Sequence, residues 1–234
     1  MTLWNLSRVP EPEVMEETDE VESYASAAAE RHLEAIDNTF VEHLLKLLPK
    51  KLGRTPDSFW GLDIGTGPGQ IPIRILGKIG LLNIIGLDRS PPMLAQARRN
   101  AERAGVSGRL RLAVGDGHSL PFPQGMFSIV ICNSVLHHAR EPVRLLREMF
   151  RVAAPGGVVL LRDLRRPSRL LFRWHLWRHG RHYRGRMRQL FEASVRASYT
   201  RAEMEELIRQ ANLEDARSFR FRGAHIGLER PGQN

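Results

Sequence analysis

The chain has 234 residues, of which 42% are hydrophobic and 26% are charged, which is typical of a folded globular protein rather than a disordered or fibrous one. No apolar run approaches the roughly 18–20 residues that a membrane-spanning helix needs, so no such helix is predicted. The formal net charge is +9, and Leu161 to Leu190 alone contains ten Arg and one Asp, so the excess positive charge lies in this one segment.

The compartment is indicated by the start of the chain and by its cysteine content. The first residues, MTLWNLSRVPEPEV, have neither the apolar pattern of a secretory signal nor the Arg-rich pattern of a transit peptide. The single cysteine, Cys132, has no partner for a disulfide within the chain. Both features favour a cytoplasmic location. Cys132 lies in an apolar stretch and is predicted to be a core residue rather than a nucleophile.

Two units are predicted: an N-terminal arm with a helical cap over residues 1–54, and a main domain over residues 55–234. Residues 1–22 contain seven acidic residues and one Arg, which favours a flexible or loosely docked arm. From Tyr24 to Leu48 apolar residues recur at helical spacing, and Pro49 and Gly53 end this predicted helix.

The main domain begins with an alternation of short apolar runs and helical patterns. Strands are predicted at 59–64, 82–87, 110–114, 127–132 and 158–161, with helices at 71–79, after Ser90-Pro91 and after Pro142. This rhythm predicts a parallel sheet with helices on both faces. Further along, Thr200 and Glu203 predict a capping box, and residues 216–221 and 224–228 predict an antiparallel pair that closes the sheet.

A glycine-rich loop, LDIGTGPGQIPI, follows the first predicted strand. Its glycines allow a sharp turn and close approach of a ligand, and the following helix begins with free N–H groups. Position 70 is Gln, so the spacing differs from the G-x-G-x-x-G of a dinucleotide site, and no Lys-Ser/Thr pair follows as in a P-loop. By itself the loop would equally suit a turn that binds nothing.

Polar residues also end the next three predicted strands. Asp88 ends the second strand and can accept hydrogen bonds from ribose hydroxyls, and Asp116 ends the third and can accept from an exocyclic amine. The fourth is followed by NSVLHH, residues 133–138. Since the carboxyl ends of parallel strands meet at one edge, these residues predict a ligand site there.

With these motifs the chain resembles the class I S-adenosylmethionine-dependent methyltransferases, in particular the small-molecule branch typified by ubiquinone/menaquinone-biosynthesis methyltransferases. The resemblance covers about Tyr24 to Asp163 and rests on LDIGTGPG, GLDRSPPML, GDGHSLPFPQGMFSIVICNSVLHH and EPVRLLREMFRVAAPGG. It implies a doubly wound, seven-stranded Rossmann-like α/β sheet whose last strand is antiparallel. It implies S-adenosylmethionine as the cofactor, and none of the motifs specifies an acceptor.

The resemblance also implies roles for residues at the cofactor site. The glycine loop would hold the methionine part, with Asp63 behind it; Asp88 would bind the ribose, Met93 would lie near the adenine, and Asn133 and Ser134 would flank the sulfonium. Arg89 stands where the family often has an apolar residue against the adenine. The implied cofactor-binding set is Asp63, Gly65, Thr66, Gly67, Gly69, Asp88, Arg89, Met93, Asp116, Gly117, His118, Asn133 and Ser134.

Methyl transfer from a sulfonium is an in-line displacement with a good leaving group, so alignment and exclusion of water matter most. A general base is needed only if the acceptor must lose a proton. His137, His138 and Asp163 follow the fourth and fifth strands and are the candidate catalytic residues, although packing or an ion pair between Asp163 and a neighbouring Arg would explain them equally.

The Arg-rich segment has four interpretations: a lid that binds an acidic substrate, a nucleic-acid site, a membrane-surface helix, or a solvated basic face balanced by the acidic arm. The lid, an insertion over about residues 164–198, is favoured. The candidate substrate-binding residues are Tyr24, Arg162, Arg165, Arg166 and Tyr183. His175, His179 and His182 have a spacing that can hold a metal on a helix, but the flanking arginines repel cations, and no metal is predicted.

The sequence thus predicts a methyltransferase that acts on a small-molecule acceptor, either acidic or apolar-aromatic. The alternatives are an RNA methyltransferase that uses the Arg-rich segment and a cofactor-binding regulator without turnover. The motif that amino-methyltransferases of nucleobases carry, Asn/Asp-Pro-Pro-aromatic, is replaced here by residues 133–136, Asn-Ser-Val-Leu, which counts against nucleobase chemistry. Oligomeric state is open.

Overall fold

The computed structural model describes residues 6–11, 31–49 and 59–233 of the chain. Seven strands form one sheet in the order β3-β2-β1-β4-β5-β7-β6. They are β1 (Phe59–Ile64), β2 (Leu82–Asp88), β3 (Leu110–Val114), β4 (Phe127–Asn133), β5 (Ala153–Leu164), β6 (Arg217–Phe221) and β7 (His225–Arg230). β7 is antiparallel to its neighbours β5 and β6, and all other adjacent pairs are parallel. The predicted doubly wound, seven-stranded sheet with its last strand antiparallel is confirmed.

Helices cover both faces of the sheet. They are α1 (Arg31–Leu47), α2 (Gln70–Leu76), α3 (Pro91–Arg103), α4 (Pro142–Val152), α5 (Phe172–Gly180), α6 (Gly185–Ala197) and α7 (Arg201–Ala211), with 3-10 turns at Leu136–His138 and Arg169–Leu171. The predicted starts are observed: the Ser90 hydroxyl accepts a hydrogen bond from the Met93 amide before α3, and Thr200 and Glu203 form a capping box at α7. None of the described helices is both long and apolar enough to cross a bilayer.

Alternating side chains of the central strands enter two separate cores. On β4, Val130 and Cys132 pack on the side of α4 and α7, whereas Ile129 and Ile131 pack on the side of α1, α2 and α3. Cys132 is fully buried, as predicted, and burial raises the pKa of its thiol well above the usual value, which disfavours the nucleophilic thiolate.

β5 begins earlier than predicted, at Ala153 rather than Val158. The pair Gly156-Gly157 has the composition of a turn, but it lies within the strand. A Cβ at position 157 would lie 3.0 Å from the carbonyl oxygen of Ser128, so the close approach of β4 requires glycine there.

Candidate functional site

A cavity of about 510 Å³ lies at the carboxyl ends of the parallel strands. One wall consists of the segments that follow β1, β2, β3 and β4, and the opposite wall comes from α1, from α5 and α6, and from the β6–β7 turn. The sheet topology brings the first wall together, because parallel strands present all their carboxyl ends at one edge.

The glycine loop forms the floor of this cavity. The amides of Gly65 and Thr66 donate to the Leu87 carbonyl at 2.8 and 3.0 Å, which fixes the loop against β2. Gly65 has φ +70°, and a Cβ there would lie 2.3 Å from Cγ2 of Val135. Gly67 has φ +51°, and nothing lies within 4 Å of where its Cβ would be, so the cavity directly borders its backbone.

Two carboxyl groups, the buried Asp63 and the half-buried Asp88, hold the loop in place. The Thr66 hydroxyl donates to Asp63 Oδ2 at 2.7 Å, and burial raises the pKa of Asp63 to about 7 against the opposing effect of this hydrogen bond. Asp88 Oδ2 accepts from the Gly67 amide at 2.8 Å and Oδ1 from the Ser90 amide at 2.9 Å. Asp88 lines the cavity, whereas Asp63 and Thr66 support the loop from behind it. Gly69 is also outside the lining and serves instead as the N-cap of α2.

A third carboxylate, Asp116, lies after β3. Its Oδ1 accepts from the His118 amide at 2.8 Å and lies 2.7 Å from His118 Nδ1. Burial raises the pKa of Asp116, but the contacts with His118, and then Arg89, outweigh burial and lower it overall, so Asp116 is ionised at neutral pH. Gly117, Arg89 and Met93 complete this part of the wall.

The turn after β4 brings two more predicted residues to the cavity, Asn133 and Ser134. Ser134 has φ +59°, a left-handed conformation that is uncommon for a residue with a side chain. Its amide donates to the Arg162 carbonyl at 2.8 Å. Strained backbone of this kind is concentrated at functional sites, and here it turns the chain sharply at the cavity wall.

His137 and His138 both line the cavity, and His137 lies between two carboxylates. Its Nδ1 is 2.6 Å from Asp163 Oδ1, and its Nε2 is 3.7 Å from Glu11 Oε2. Burial lowers the pKa of His137, but Asp163 and then Glu11 outweigh burial and raise it. Asp163 is also buried, and His137 keeps its pKa below the usual value.

The ion pair of Asp163 therefore differs from the expected one. Asp163 pairs with His137 rather than with a neighbouring arginine, and it is buried behind the imidazole rather than exposed in the cavity wall.

The structure does not bring the three predicted substrate-binding arginines to the cavity. The buried Arg162 donates to Asn133 Oδ1, Thr39 Oγ1 and the Ile36 carbonyl, so it joins α1 to the sheet. Arg166 is also buried, with Ser198 and Glu203 as partners, and Arg165 donates to the Gly223 carbonyl. The reason is their position: they are at the end of β5 and beyond it, within reach of carbonyls of the adjoining elements. None of the three lines the cavity, so nothing in the structure supports their predicted contact with substrate.

Of the two predicted tyrosines, Tyr183 lines the cavity and packs against Phe191, with ring centroids 5.1 Å apart. Tyr24 lies outside the described residues. The histidines proposed as an alternative metal set do not share one helix, since His175 and His179 belong to α5 but His182 lies in the turn before α6.

Sequence reasoning missed several residues of the opposite wall. They are Asp37 of α1, Arg178 and His179 of α5, and Arg222 and His225 of the β6–β7 turn and β7. Burial raises the pKa of Asp37 to about 6 and lowers that of His225 to about 3. Arg178 and His179 carried a signal, as members of the Arg-rich segment. The other three reach the cavity through long-range packing that no local pattern indicates.

Among the described residues, Glu11, His137 and His138 are the one group whose possible metal-ligating atoms lie within 4.8 Å of one another. The Arg8 guanidinium adjoins this group, since Nη2 donates to the His137 carbonyl at 2.9 Å. Its positive charge opposes a cation there, whereas the two carboxylates favour the protonated imidazole of His137.

Comparison with known proteins agrees with this geometry. A family model described as a methyltransferase domain matches residues 62–161. The chain is 33% identical over 111 residues to a demethylmenaquinone methyltransferase of Thermus thermophilus, covering 47% of this chain and 50% of the relative. It is 36% identical over 97 residues to a sterol 24-C-methyltransferase of Aspergillus fumigatus, covering 42% of this chain and 26% of the relative. The chain thus spans half or less of the length of these curated relatives.

The fold is shared over nearly the whole chain with a solved structure. This is a proposed S-adenosyl-L-methionine-dependent methyltransferase from Methanococcus maripaludis, with a TM-score of 0.67 and 14% identity over 97% of this chain and 98% of that one. The matched segment, residues 62–161, contains the glycine loop and the three strand ends that follow it. Over residues 62–161 the chain is similar to class I S-adenosylmethionine-dependent methyltransferases, among them the demethylmenaquinone methyltransferases.

Proposed function

We propose that this protein transfers a methyl group to a small, largely apolar acceptor that carries an aromatic or acidic group. The observation that carries the proposal is the cavity itself. Its sheet-side wall has the glycine loop and two carboxylates, and its helix-side wall has apolar side chains with two arginines. The two walls suit two ligands of different chemistry.

The sheet-side wall fits S-adenosylmethionine, the cofactor of the family. The open space beside Gly67 leaves room for the ligand against the backbone, and Asp88 lines the cavity and can still accept from a ribose hydroxyl beside its bonds from backbone amides. Asp116 can accept from the adenine amine, with Arg89 and Met93 beside it. When bound, the cofactor supplies a methyl group on a positively charged sulfur.

The residues after β4 lie where the acceptor must approach. His138 is partly exposed to the cavity, and we assign it the proton-accepting role if the acceptor is a phenol or another acidic group. His137 is a positioning residue in this proposal. Asp163 and Glu11 favour its charged form against the effect of burial, and its amide donates to Asp163 Oδ2 at 2.8 Å, which fixes the turn that carries His138.

The helix-side wall indicates the acceptor class. Its apolar side chains are contributed mainly by α6 and the turn before it, and they are Tyr183, Met187, Leu190 and Phe191. Among the described residues, Arg178 and Arg222 are the arginines on this wall, and they can pair with an acidic group. The names of the relatives specify a demethylmenaquinone and a sterol as acceptors, both of which are largely apolar molecules.

The cofactor site is tested by calorimetric titration with S-adenosylmethionine and with S-adenosylhomocysteine. We expect micromolar binding of both, reduced at least about tenfold by Asp88→Asn, because the ribose hydroxyls lose a charged acceptor. The control is Asp215→Asn, which changes an exposed carboxylate just before β6. This variant should bind the cofactor normally. No binding to the parent protein would contradict the proposal, and tight binding without consumption in the presence of acceptors would favour a regulator without turnover.

The acceptor wall is tested with a panel of phenolic and carboxylated aromatic compounds. Arg178→Gln should raise KM for the acidic members about tenfold and leave that of neutral members and the affinity for cofactor unchanged. Arg98→Gln on the exposed side of α3 is the matched control. A KM increase that is equal for acidic and neutral acceptors would show that Arg178 has only a structural role.

A further inference from the structure

The outer side of residues 169–177 is apolar and exposed. Leu170, Leu171, Trp174 and Trp177 have 70%, 51%, 54% and 59% of their surface exposed, and we call these four residues the Leu-Trp face. Tryptophan is rarely left this exposed on a folded protein, and two in one helix with two leucines beside them form a continuous apolar surface.

Helix geometry places the four residues on one side. The 3-10 turn Arg169–Leu171 continues directly into α5, and positions 170, 171, 174 and 177 follow the spacing i, i+1, i+4, i+7. The opposite side of α5 faces the protein, with Phe172 and His175 only 7% and 1% exposed. Packing onto the domain requires only this inner stripe, so the fold does not explain the outer one.

The surroundings of the Leu-Trp face are strongly basic. Residues 164–191 contain nine Arg and neither Asp nor Glu. Most of these arginines are exposed, while Arg165 and Arg166 bond to backbone carbonyls as described above. The exposed ones are Arg169, Arg173, Arg178, Arg181, Arg184, Arg186 and Arg188.

The Leu-Trp face also adjoins the cavity. Arg178, the residue after Trp177, lines the cavity, as do His179 and Tyr183. A surface that contacts the Leu-Trp face would therefore lie next to the helix-side wall, where we place the acceptor.

We propose that the Leu-Trp face and its arginines bind an anionic lipid membrane surface. Tryptophan and leucine suit the boundary between headgroups and acyl chains, and the arginines suit anionic headgroups, each adding about fivefold to membrane affinity. A single-stranded nucleic acid would use the arginines and stack on the indoles, but it would leave Leu170 and Leu171 without an apolar partner. The proposal concerns binding alone and does not depend on methyl transfer.

The test is co-sedimentation of the full chain with phosphatidylcholine vesicles, with and without phosphatidylglycerol. We expect binding to the anionic vesicles, weaker at high salt because the charges are screened, and little binding to the neutral ones. Trp174→Ser with Trp177→Ser should reduce binding more than about tenfold, and Arg169→Glu with Arg173→Glu should reduce it by a similar factor. Brominated acyl chains should quench the tryptophan emission of the parent protein and lose most of this effect in the Trp174→Ser/Trp177→Ser variant.

Matched controls show whether binding depends on the Leu-Trp face itself or on any exposed apolar residue or arginine. Val114→Ser changes another exposed apolar residue, 63% exposed, and Arg98→Glu with Arg103→Glu changes two exposed arginines of α3. Both should bind vesicles like the parent protein. Loss of binding in these controls equal to that in the Trp variant would overturn the proposal. Binding of single-stranded RNA, lost on the Trp substitutions, with no binding to vesicles would also overturn it and assign the face to nucleic acid.

Discussion

Gly65 and Gly67 both have positive φ values, but their surroundings differ and separate the structural role of the loop from its binding role. A side chain at Gly65 would collide with Val135, whereas one at Gly67 would point into open space at the cavity. The two positions therefore offer a matched pair of substitutions.

Gly65→Ala should lower the free energy of unfolding by more than about 2 kcal/mol, from left-handed strain plus the clash. Gly67→Ala should lower the free energy of unfolding by only about 1 kcal/mol, from strain alone. It should nevertheless weaken cofactor binding at least as strongly as Gly65→Ala does, because its methyl group enters the cavity. Urea denaturation and calorimetry measure the two effects. In the double variant Gly65→Ala/Val135→Ala the loss should be smaller than the sum of the single losses, and strict additivity would contradict the clash.

The buried pair of His137 and Asp163 leads to a second prediction at the residue scale. Asp163→Asn leaves the imidazole without its charge partner and should lower the free energy of unfolding by about 3 kcal/mol near pH 6. The folded pKa of His137 is raised, so the stability that the pair gives through His137 is present in full below pH 6.5 and is lost as pH rises through the folded pKa. The difference between parent and variant should shrink accordingly at high pH.

The control for this pair is Glu141→Gln, which breaks the exposed pair with Arg144 and should change stability little at any pH. A difference between parent and Asp163→Asn that grows as pH rises above 6.5 would show that His137 is neutral in the folded protein.

At the scale of elements, Arg166 joins three parts of the fold. It follows β5, donates to the Ser198 carbonyl at the end of α6 at 2.5 Å, and pairs with Glu203 in the first turn of α7. The neighbouring Arg165 is half-buried, and its guanidinium donates to the Gly223 carbonyl at 2.8 Å.

Arg166→Gln should lower the free energy of unfolding by about 3 kcal/mol, because a buried carbonyl and a carboxylate lose a charged donor. Arg165→Gln should lower it by less than about 1 kcal/mol. Neither substitution should change KM for acidic acceptors relative to neutral ones. A selective KM effect of either variant would support the role in substrate binding that the sequence predicts.

The contrast between the two arginines shows which parts of the molecule the sequence could predict. Strands, caps and the glycine loop follow from local rules, such as the period of two in β4 and the pairing of Thr200 with Glu203. Arginines 162, 165 and 166 look alike in sequence, and their partners lie 29 to 126 residues away, so only the tertiary fold decides that they bond to protein rather than substrate. The helix-side wall escaped prediction for the same reason.

At the scale of the whole molecule, we expect His225 to set part of the dependence of the free energy of unfolding on pH. Burial, and then the charge of Arg162, lowers its pKa to about 3, and within the described residues its Nδ1 has no hydrogen-bond partner. Between that value and the ordinary pKa of 6.5 the unfolded chain binds a proton that the folded protein does not. The contribution of His225 to stability therefore falls as pH falls through this window.

The parent protein should lose about 1.4 kcal/mol per pH unit below 6.5 from this one group, and His225→Gln should remove that part of the slope. Urea denaturation at several pH values from neutral down to moderately acidic measures both slopes. His182→Gln, an exposed histidine in the turn before α6, is the control and should leave the slope unchanged. An identical slope in parent and His225→Gln would mean that His225 is protonated in the fold.

The position of β7 has a consequence for how the protein is made. β7 is synthesised after β6 but is inserted between β6 and β5. Until residues 225–230 have left the ribosome, the nascent chain exposes the edge of β5, whose residues Val158–Leu161 are apolar and have no pairing partner on that side. The newly made protein therefore depends on a late strand to cover this apolar edge, and slow or interrupted translation just before β7 should lower its yield more than the same delay elsewhere.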